Sequence, residues 1–258
     1  MASTTIRDNV AIGEPDLTIA VSPNSNGSNQ DQYSVSNVGA YATSGDGRTF
    51  RFAYDGGTAL VPGYLYQAAA QDDTNLHDYT LAVNSVGDTL VSVTSTAATL
   101  AANALAGGQL VITDATTGAG ISYGIAGNTA AAASAFTITL ADPIRVATTG
   151  TVHADAVLNP FWSIIEAPTA LTAAPVGVAV VATAGTQYAW IQTSGVVAVK
   201  NDGIGTINPG DYVAPSQTTA GTVAALPFSG TTALLCAVGI AMETIEATQW
   251  GFIKLMLE

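Results

Sequence analysis

Positive charge is almost missing from this chain. Its 258 residues hold two lysines and four arginines against 19 acidic residues, for a formal net charge of -13. A protein that neutralises a phosphate backbone needs clustered cations, and six scattered ones cannot supply them. The composition excludes nucleic acid as a partner, and an anionic membrane surface for the same reason. Long apolar runs are missing too, since none approaches the roughly 20 residues a membrane-spanning helix requires. A single cysteine, Cys236, rules out an intrachain disulfide. It stands in Leu234-Leu235-Cys236-Ala237-Val238, where it reads as a small buried hydrophobe. The first residues, Met1 to Arg7, lack a charged start followed by an apolar stretch. No secretory signal is therefore expected, and assembly is placed in a cytoplasm.

The patterns that carry chemistry are equally sparse. Only two histidines are present. His77 lies in the polar loop Gln71-Asp72-Asp73-Thr74-Asn75-Leu76-His77-Asp78, whose aspartates and histidine could hold a divalent cation. A calcium loop, however, needs oxygens at alternate positions, a Gly turn and a closing bidentate Glu. Those are absent, so a solvated loop is the preferred reading. His153 could pair with Asp155, but no serine sits in a sharp Gly-x-Ser-x-Gly turn to complete a hydrolytic triad. Gly118-Ala119-Gly120-Ile121-Ser122-Tyr123-Gly124 spaces its last glycine one residue too far for a dinucleotide loop, and no Gly-Lys-Ser/Thr occurs. Glu243 and Glu246 read as residues of a solvated loop. No enzymatic activity, metal or cofactor is expected.

What the chain does have is turn residues and short apolar runs. Runs of four to eight residues rich in Val, Ile, Tyr and Trp recur at intervals of roughly ten, an all-β signature. Phe50, Phe52 and Tyr54 share one face by the period-two rule, with Arg51 opposite. Further strands are expected at Tyr79 to Val83, Thr89 to Val93, Gln109 to Thr113, Ile121 to Ile125 and Ala135 to Leu140. The best-specified stretch runs from Gln187 to the end. There Ser194-Gly195 is expected to turn a hairpin, Asn201-Asp202-Gly203 to end its second strand, and Asn208-Pro209-Gly210-Asp211 to make the next turn. Ala233 to Met242 and Trp250 to Leu257 follow as strands. One short helix is expected over Thr96 to Ala106, closed by Gly107-Gly108.

This gives an all-β chain of antiparallel sandwich or barrel domains with an extended N-terminal arm. The arm covers residues 1–47, because Ser22 to Gln32 contains no apolar residue and cannot repay its own ordering. A β-rich domain over 48–171 and a small C-terminal barrel or sandwich over 172–258 are separated by the proline-bracketed stretch Ala167 to Pro175. Charged residues are only 10% against 48% hydrophobic. So apolar a surface implies cover by neighbours. Candidate contact residues are Ile12, Leu17, Ile19 and Val21 in the arm, and Trp190, Tyr212 and Trp250 in the C-terminal strands. The tryptophans Trp162, Trp190 and Trp250 could stack on sugars, but their apolar flanks favour core or subunit packing.

The segments Gly107 to Ile112, Gly118 to Thr129 and Phe136 to Ile144 resemble a module of tailed-phage head structural proteins. Tyr188 to Gly195, Gly210 to Ser216 and Ala220 to Val223 are similar to the same group, the capsid decoration or cement proteins. The likeness spans roughly residues 105–258. It implies a β-rich protein, often trimeric, that sits on the outer shell, binds the major capsid protein and ties capsomers together, with no catalytic residues. The expected function is thus a virion structural protein on the capsid surface. The alternative is a fibre, spike or adhesin-type module that binds a host glycan, although no internal period of a fibre stalk is present.

Overall fold

In a computed structural model, which describes residues 38–71, 76–94, 100–131, 135–226 and 236–258, the protein is all-β and antiparallel. The strands are β1 (Tyr41–Thr43), β2 (Thr49–Tyr54), β3 (Leu65–Gln67), β4 (Tyr79–Leu81), β5 (Leu90–Thr94), β6 (Gln109–Asp114), β7 (Ser122–Asn128) and β8 (Ala135–Leu140). They continue with β9 (Val152–Val157), β10 (Ile165–Glu166), β11 (Pro175–Ala179), β12 (Tyr188–Lys200), β13 (Tyr212–Pro215), β14 (Val223–Ala225), β15 (Gly239–Ala241) and β16 (Trp250–Met256). They form two compact units, one of residues 38–68 with Phe161–Glu258 and one of Ala69–Pro160.

The Ala69–Pro160 unit is a closed barrel in the order β4-β5-β8-β7-β6-β9. Closure follows from strict alternation along each strand. Val91 and Val93 on β5, Leu110 and Ile112 on β6, and Phe136, Ile138 and Leu140 on β8 all point inward and are buried. On β9 the inward positions are Val152, Ala154 and Ala156, small enough to leave room for Tyr79 and Tyr123. Tyr79 meets Phe136 edge-on, with centroids 5.4 Å apart. The helix expected over 96–106 is not formed in its described part. Residues 100–106 run through turns, because Asn103 takes a φ of 61° and buried Asn128 holds the loop. The Asn128 side chain accepts from the Leu105 N–H at 2.9 Å and donates to the Ala101 carbonyl at 3.0 Å.

The other unit is a ten-stranded sheet curled into a half-barrel, with the path β10-β3-β11-β12-β16-β15-β13-β14 and β1-β2 joined at β12. Its axis is β12, thirteen residues long. The first half of β12 pairs with β2, Tyr188 opposite Tyr54 and Trp190 opposite Phe52. The second half pairs with β16, Val196 opposite Lys254 and Lys200 opposite Trp250. Ser194 and Gly195 therefore do not turn a hairpin. Gly195 keeps the positive φ the sequence called for, at 90°, but holds it inside one continuous strand, in register with Leu255 and just past a bulge at Thr193. A Cβ at Gly195 would lie 3.1 Å from the Cα of Arg48, so the close approach of β2 also requires glycine.

Pairing of β2 with β12 and of β3 with β11 redraws the domain boundaries expected from the sequence. Residues 48–68 belong with the C-terminal strands, and the barrel is inserted between β3 and β10. The proline-bracketed stretch is no boundary, for Pro175 opens β11 inside the sheet. Of the expected arm, residues 38–47 belong to this sheet unit and the rest lie outside the described residues. Tyr41–Thr43 pairs with Thr49–Arg51, and Val38 and Ala42 are buried under Phe50 and Phe52. Asn201 behaves as expected, its amide donating to the carbonyls of Gly205 at 2.7 Å and Ile245 at 2.9 Å. Asn208-Pro209-Gly210-Asp211 is the expected turn, with Gly210 at a φ of 88°. Asp55 is buried where three donors reach it, the N–H groups of Gly57 and Gln187 and the Thr183 hydroxyl.

Tyr66 is fully buried under the sheet, its hydroxyl accepting from the Val61 N–H at 2.8 Å. Burial pushes its phenol up to about 12. An ionised phenol is thus less welcome in the folded chain than in the unfolded one, where the pKa is about 10. We expect the stability of this unit to be intact below pH 10 and to fall as pH rises from about 10 to about 12. Denaturant titrations across that window should show a shallower loss for Tyr66→Phe, and equal slopes would refute the assignment.

Candidate interaction surface

The strand that carries the surface is β16. Its inward residues Ile253 and Leu255 are buried in the sheet core, so Trp250, Phe252, Lys254 and Met256 must face out. Trp250 is 54% and Phe252 50% exposed, and Met256 is exposed as well. Register extends the patch across neighbouring strands. Val196 on β12 lies opposite Lys254, and Ile240 on β15 pairs with Lys254 on one side and Tyr212 of β13 on the other. Val196, Tyr212 and Met242 are all exposed. The result is one apolar face on a continuous hydrogen-bonded sheet. A half-exposed aromatic ring leaves on the order of 100 Å² in water, so covering each is worth about 2–3 kcal/mol.

The face is held stiffly. The Trp250 ring lies over Gly63, where a Cβ would come within 2.6 Å of its Nε1. The Lys200 ammonium stands 4.9 Å from the Trp250 ring and 5.5 Å from that of Tyr64. The Phe252 N–H donates to Glu243 at 2.8 Å, which fixes the strand end. A shallow groove of about 210 Å³ runs beside the patch, lined by Arg48, Pro62, Gly63, Gln192, Val196 and Phe252 among others. Lys200 and Lys254 border or sit on this apolar surface, together with Glu243 and with Arg48, which is paired with Asp46 at 2.7 Å.

Of the residues expected to make contacts, Trp250 and Tyr212 lie on this face. Trp190 does not. It is 5% exposed and packs inside the unit at 5.2 Å from the Phe52 ring, because the first half of β12 is covered on both sides. Ile12, Leu17, Ile19 and Val21 lie outside the described residues. Phe252, Met256 and Val196 were missed, although alternation from Trp250 points to the first two. Cys236 is exposed, contrary to the expectation of burial, since β15 begins only at Gly239.

The polar candidates pair off instead of converging. Asp72 and Asp73 lie outside the described residues, but His77 and Asp78 are placed across β9. His77 Nδ1 is 2.9 Å from Asp155 Oδ1, and His153 Nδ1 is 2.7 Å from Asp78 Oδ1. In place of the His153–Asp155 pair that the sequence allowed, there are two cross-strand pairs, since Tyr79 lies opposite Ala154. Among the described residues no group of three His, Cys, Asp or Glu side chains could hold a metal ion. Glu246 accepts from the Thr206 hydroxyl while Glu243 serves Phe252, so these two carboxylates do separate work. A cleft of about 250 Å³ lies beside the Asp202 carboxylate. That carboxylate is already met by the Ile204 N–H and the Ser216 and Thr218 hydroxyls.

Comparison with known proteins finds no matching family model, no matching curated protein and no matching solved structure.

Two outcomes follow from this geometry. Trp190→Ala should cost about 3–5 kcal/mol in urea unfolding, as core aromatic deletions do. Phe252→Ala should change stability by no more than about 0.5 kcal/mol, and a reversed order would displace the surface from β16. Excess EDTA should leave the melting temperature of the whole chain unchanged, because the His–Asp pairs satisfy each other, and a chelator-dependent melt would contradict that pairing.

Proposed function

We propose that the protein is a structural component of a virion, an oligomer that binds the outer surface of a phage capsid and stabilises the shell. The observation that carries this reading is the exposed apolar face around Trp250, Phe252, Met256 and Val196, presented by a continuous sheet. Such a surface is of the kind that marks a protein contact. It has the rigid aromatic anchors that lose little freedom on binding. The likeness of residues 105–258 to decoration proteins supports the same reading. In it the C-terminal strands make the contact between copies, three of which match a three-fold position on a shell. The segment before residue 38, with Ile12, Leu17, Ile19 and Val21, reaches the major capsid protein and adds to an exposed strand edge there. Catalysis, nucleic acid and membrane have no part in this reading, and the chain is assembled in the host cytoplasm.

The test is co-sedimentation with undecorated capsids. The intact chain should pellet with shells and saturate, and failure to bind at micromolar concentration would overturn the proposal. Deletion of residues 1–30 should weaken attachment at least about tenfold, while circular dichroism of the β units stays unchanged. Unaltered affinity after deletion would remove the segment from the contact.

A further inference from the structure

The cleft beside Asp202 lies wholly within the sheet unit, between the loop 202–206, the turn after β13 and the strand β14. Backbone bonds fix its frame. The Asp202 N–H donates to the Val223 carbonyl at 3.0 Å, and the Ser216 N–H to the Thr222 carbonyl at 2.9 Å. Part of the lining is apolar, made by Pro215, Ala224, Ala225 and Ile204, the last of them 75% exposed at the mouth. The rest presents the Asp202 carboxylate and the side chains of Thr206, Gln217 and Thr218.

Hydrogen-bond accounting decides what such a cleft can hold. Asp202 Oδ2 receives the Ser216 hydroxyl at 2.8 Å and the Thr218 hydroxyl at 3.1 Å, whereas Oδ1 receives the Ile204 N–H alone, at 2.9 Å. A carboxylate oxygen has room for two donors, so Oδ1 is half used. The Ser216 oxygen is full, because it also accepts the N–H groups of Thr218 at 3.0 Å and Thr219 at 3.1 Å. Thr206 spends its proton on Glu246 at 3.0 Å. The open capacity is therefore that of acceptors, Asp202 Oδ1 and the Thr206 oxygen, and Gln217 is the one lining side chain with N–H groups to give. An anion finds a carboxylate and no cation there. A sugar hydroxyl both donates and accepts, so a sugar would leave acceptors unmatched. A divalent ion asks for six or more oxygens, several of them carboxylate, and no such group gathers among the described residues.

We infer that the cleft receives a basic side chain of a partner protein, whose ammonium or guanidinium donates to Asp202 Oδ1 while its stem lies along Ile204, Pro215, Ala224 and Ala225. A lysine or arginine head carries donors and no acceptor, which is what this lining leaves open. Its methylene stem covers apolar surface while the head stays polar, which matches the rest of the lining. The surroundings favour the same sign. The described part of the sheet unit has eight acidic side chains against four basic ones, within a chain of net charge -13. The described cations of the chain itself are placed elsewhere. Arg48 is paired with Asp46 and Arg51 with Glu258, Arg145 lies over Tyr123, Lys200 lies over Tyr64 and Trp250, and Lys254 faces out from β16. In the reading above the basic side chain belongs to the shell protein, and the inference rests on that reading for this source alone.

The test needs no shell at first. Saturation-transfer NMR on the full chain compares N-acetylarginine amide with N-acetylcitrulline amide, an uncharged isostere with the same stem. The arginine amide should bind at least about tenfold more tightly, and added salt should shrink that advantage. Asp202→Asn should abolish it. Because Asn at 202 could loosen the loop, Gln217→Lys is the second variant. It sets an ammonium at the mouth of the cleft from an exposed position, and should weaken arginine-amide binding at least about tenfold with the fold intact. Equal affinity for the two amides overturns the inference, and so does arginine binding that Gln217→Lys leaves unmoved. A signal from glucose or galactose that Asp202→Asn removes overturns it in favour of a sugar. Co-sedimentation then tests the source. Gln217→Lys should pellet with undecorated capsids at least about tenfold more weakly than the intact chain, and equal pelleting overturns the shell as the source. If Gln217→Lys and Lys254→Gln each lower the mass of the full chain in solution, the basic group is Lys254 of a second copy and the shell is again overturned. An intact chain that never pellets overturns the reading above, while the amide titration still decides the cleft.

Discussion

The sheet unit depends on one changeover, at Ser194 of β12. Up to that residue β12 is paired with β2, and from it onward with β16, so that Ser194 stands opposite both Thr49 and Met256. Two distant parts of the chain thereby share one strand. The junction is sealed by side chains as well. Thr193 and Thr49 hydroxyls lie 3.0 Å apart, Thr193 donates to Glu258, and Arg51 holds the same carboxylate at 2.8 Å. A bulge at Thr193, followed by Gly195 at positive φ, gives the strand its local turn of twist, which lets the sheet curl without breaking. The same changeover exposes the second half of β12 on its outer face while burying the first half on both faces. Trp190 is therefore core and Val196 surface, six residues apart on one strand.

That consequence marks where sequence reasoning succeeds and where it stops. Alternation is local, and it placed Phe50, Phe52 and Tyr54 on one packed face and Ala135 to Leu140 as a barrel strand. Turn chemistry is local too, and Asn201 and Gly210 behaved as their types demand. Ser194-Gly195 shows the limit. A glycine's freedom at positive φ serves a hairpin or the interior of a twisted strand equally well, and only the distant partners β2 and β16 decide between them. The barrel insertion was hidden for the same reason, since pairing of β3 with β11 links residues a hundred positions apart. The cross-paired histidines are a third case. His77–Asp155 and His153–Asp78 exist because β4 runs beside β9, which no spacing within either segment reveals.

The surface was half legible. Trp250 and Tyr212 were named as contact residues from their place in short apolar strands, and both are exposed. Trp190 was named by the same logic and is buried. Composition tells how much apolar residue a chain carries, but not which half of a long strand is covered twice.

Among the described residues, four of the five lysines and arginines stand over aromatic rings. Arg48 lies over Phe50, Arg51 over Tyr41 and Phe161, Arg145 over Tyr123, and Lys200 over Tyr64 and Trp250, each within 5.7 Å. Such contacts are worth about 0.5–1 kcal/mol apiece at exposed sites, too little to fold a domain. Their effect is on order. Lys200 and Gly63 fix the Trp250 ring in one place before any partner arrives. An aromatic that is already immobile gives up little side-chain entropy on contact, where a free one gives up about 0.5–1.5 kcal/mol. Packing of the Trp250 ring against Gly63 and Lys200 thus lets a modest apolar area bind firmly.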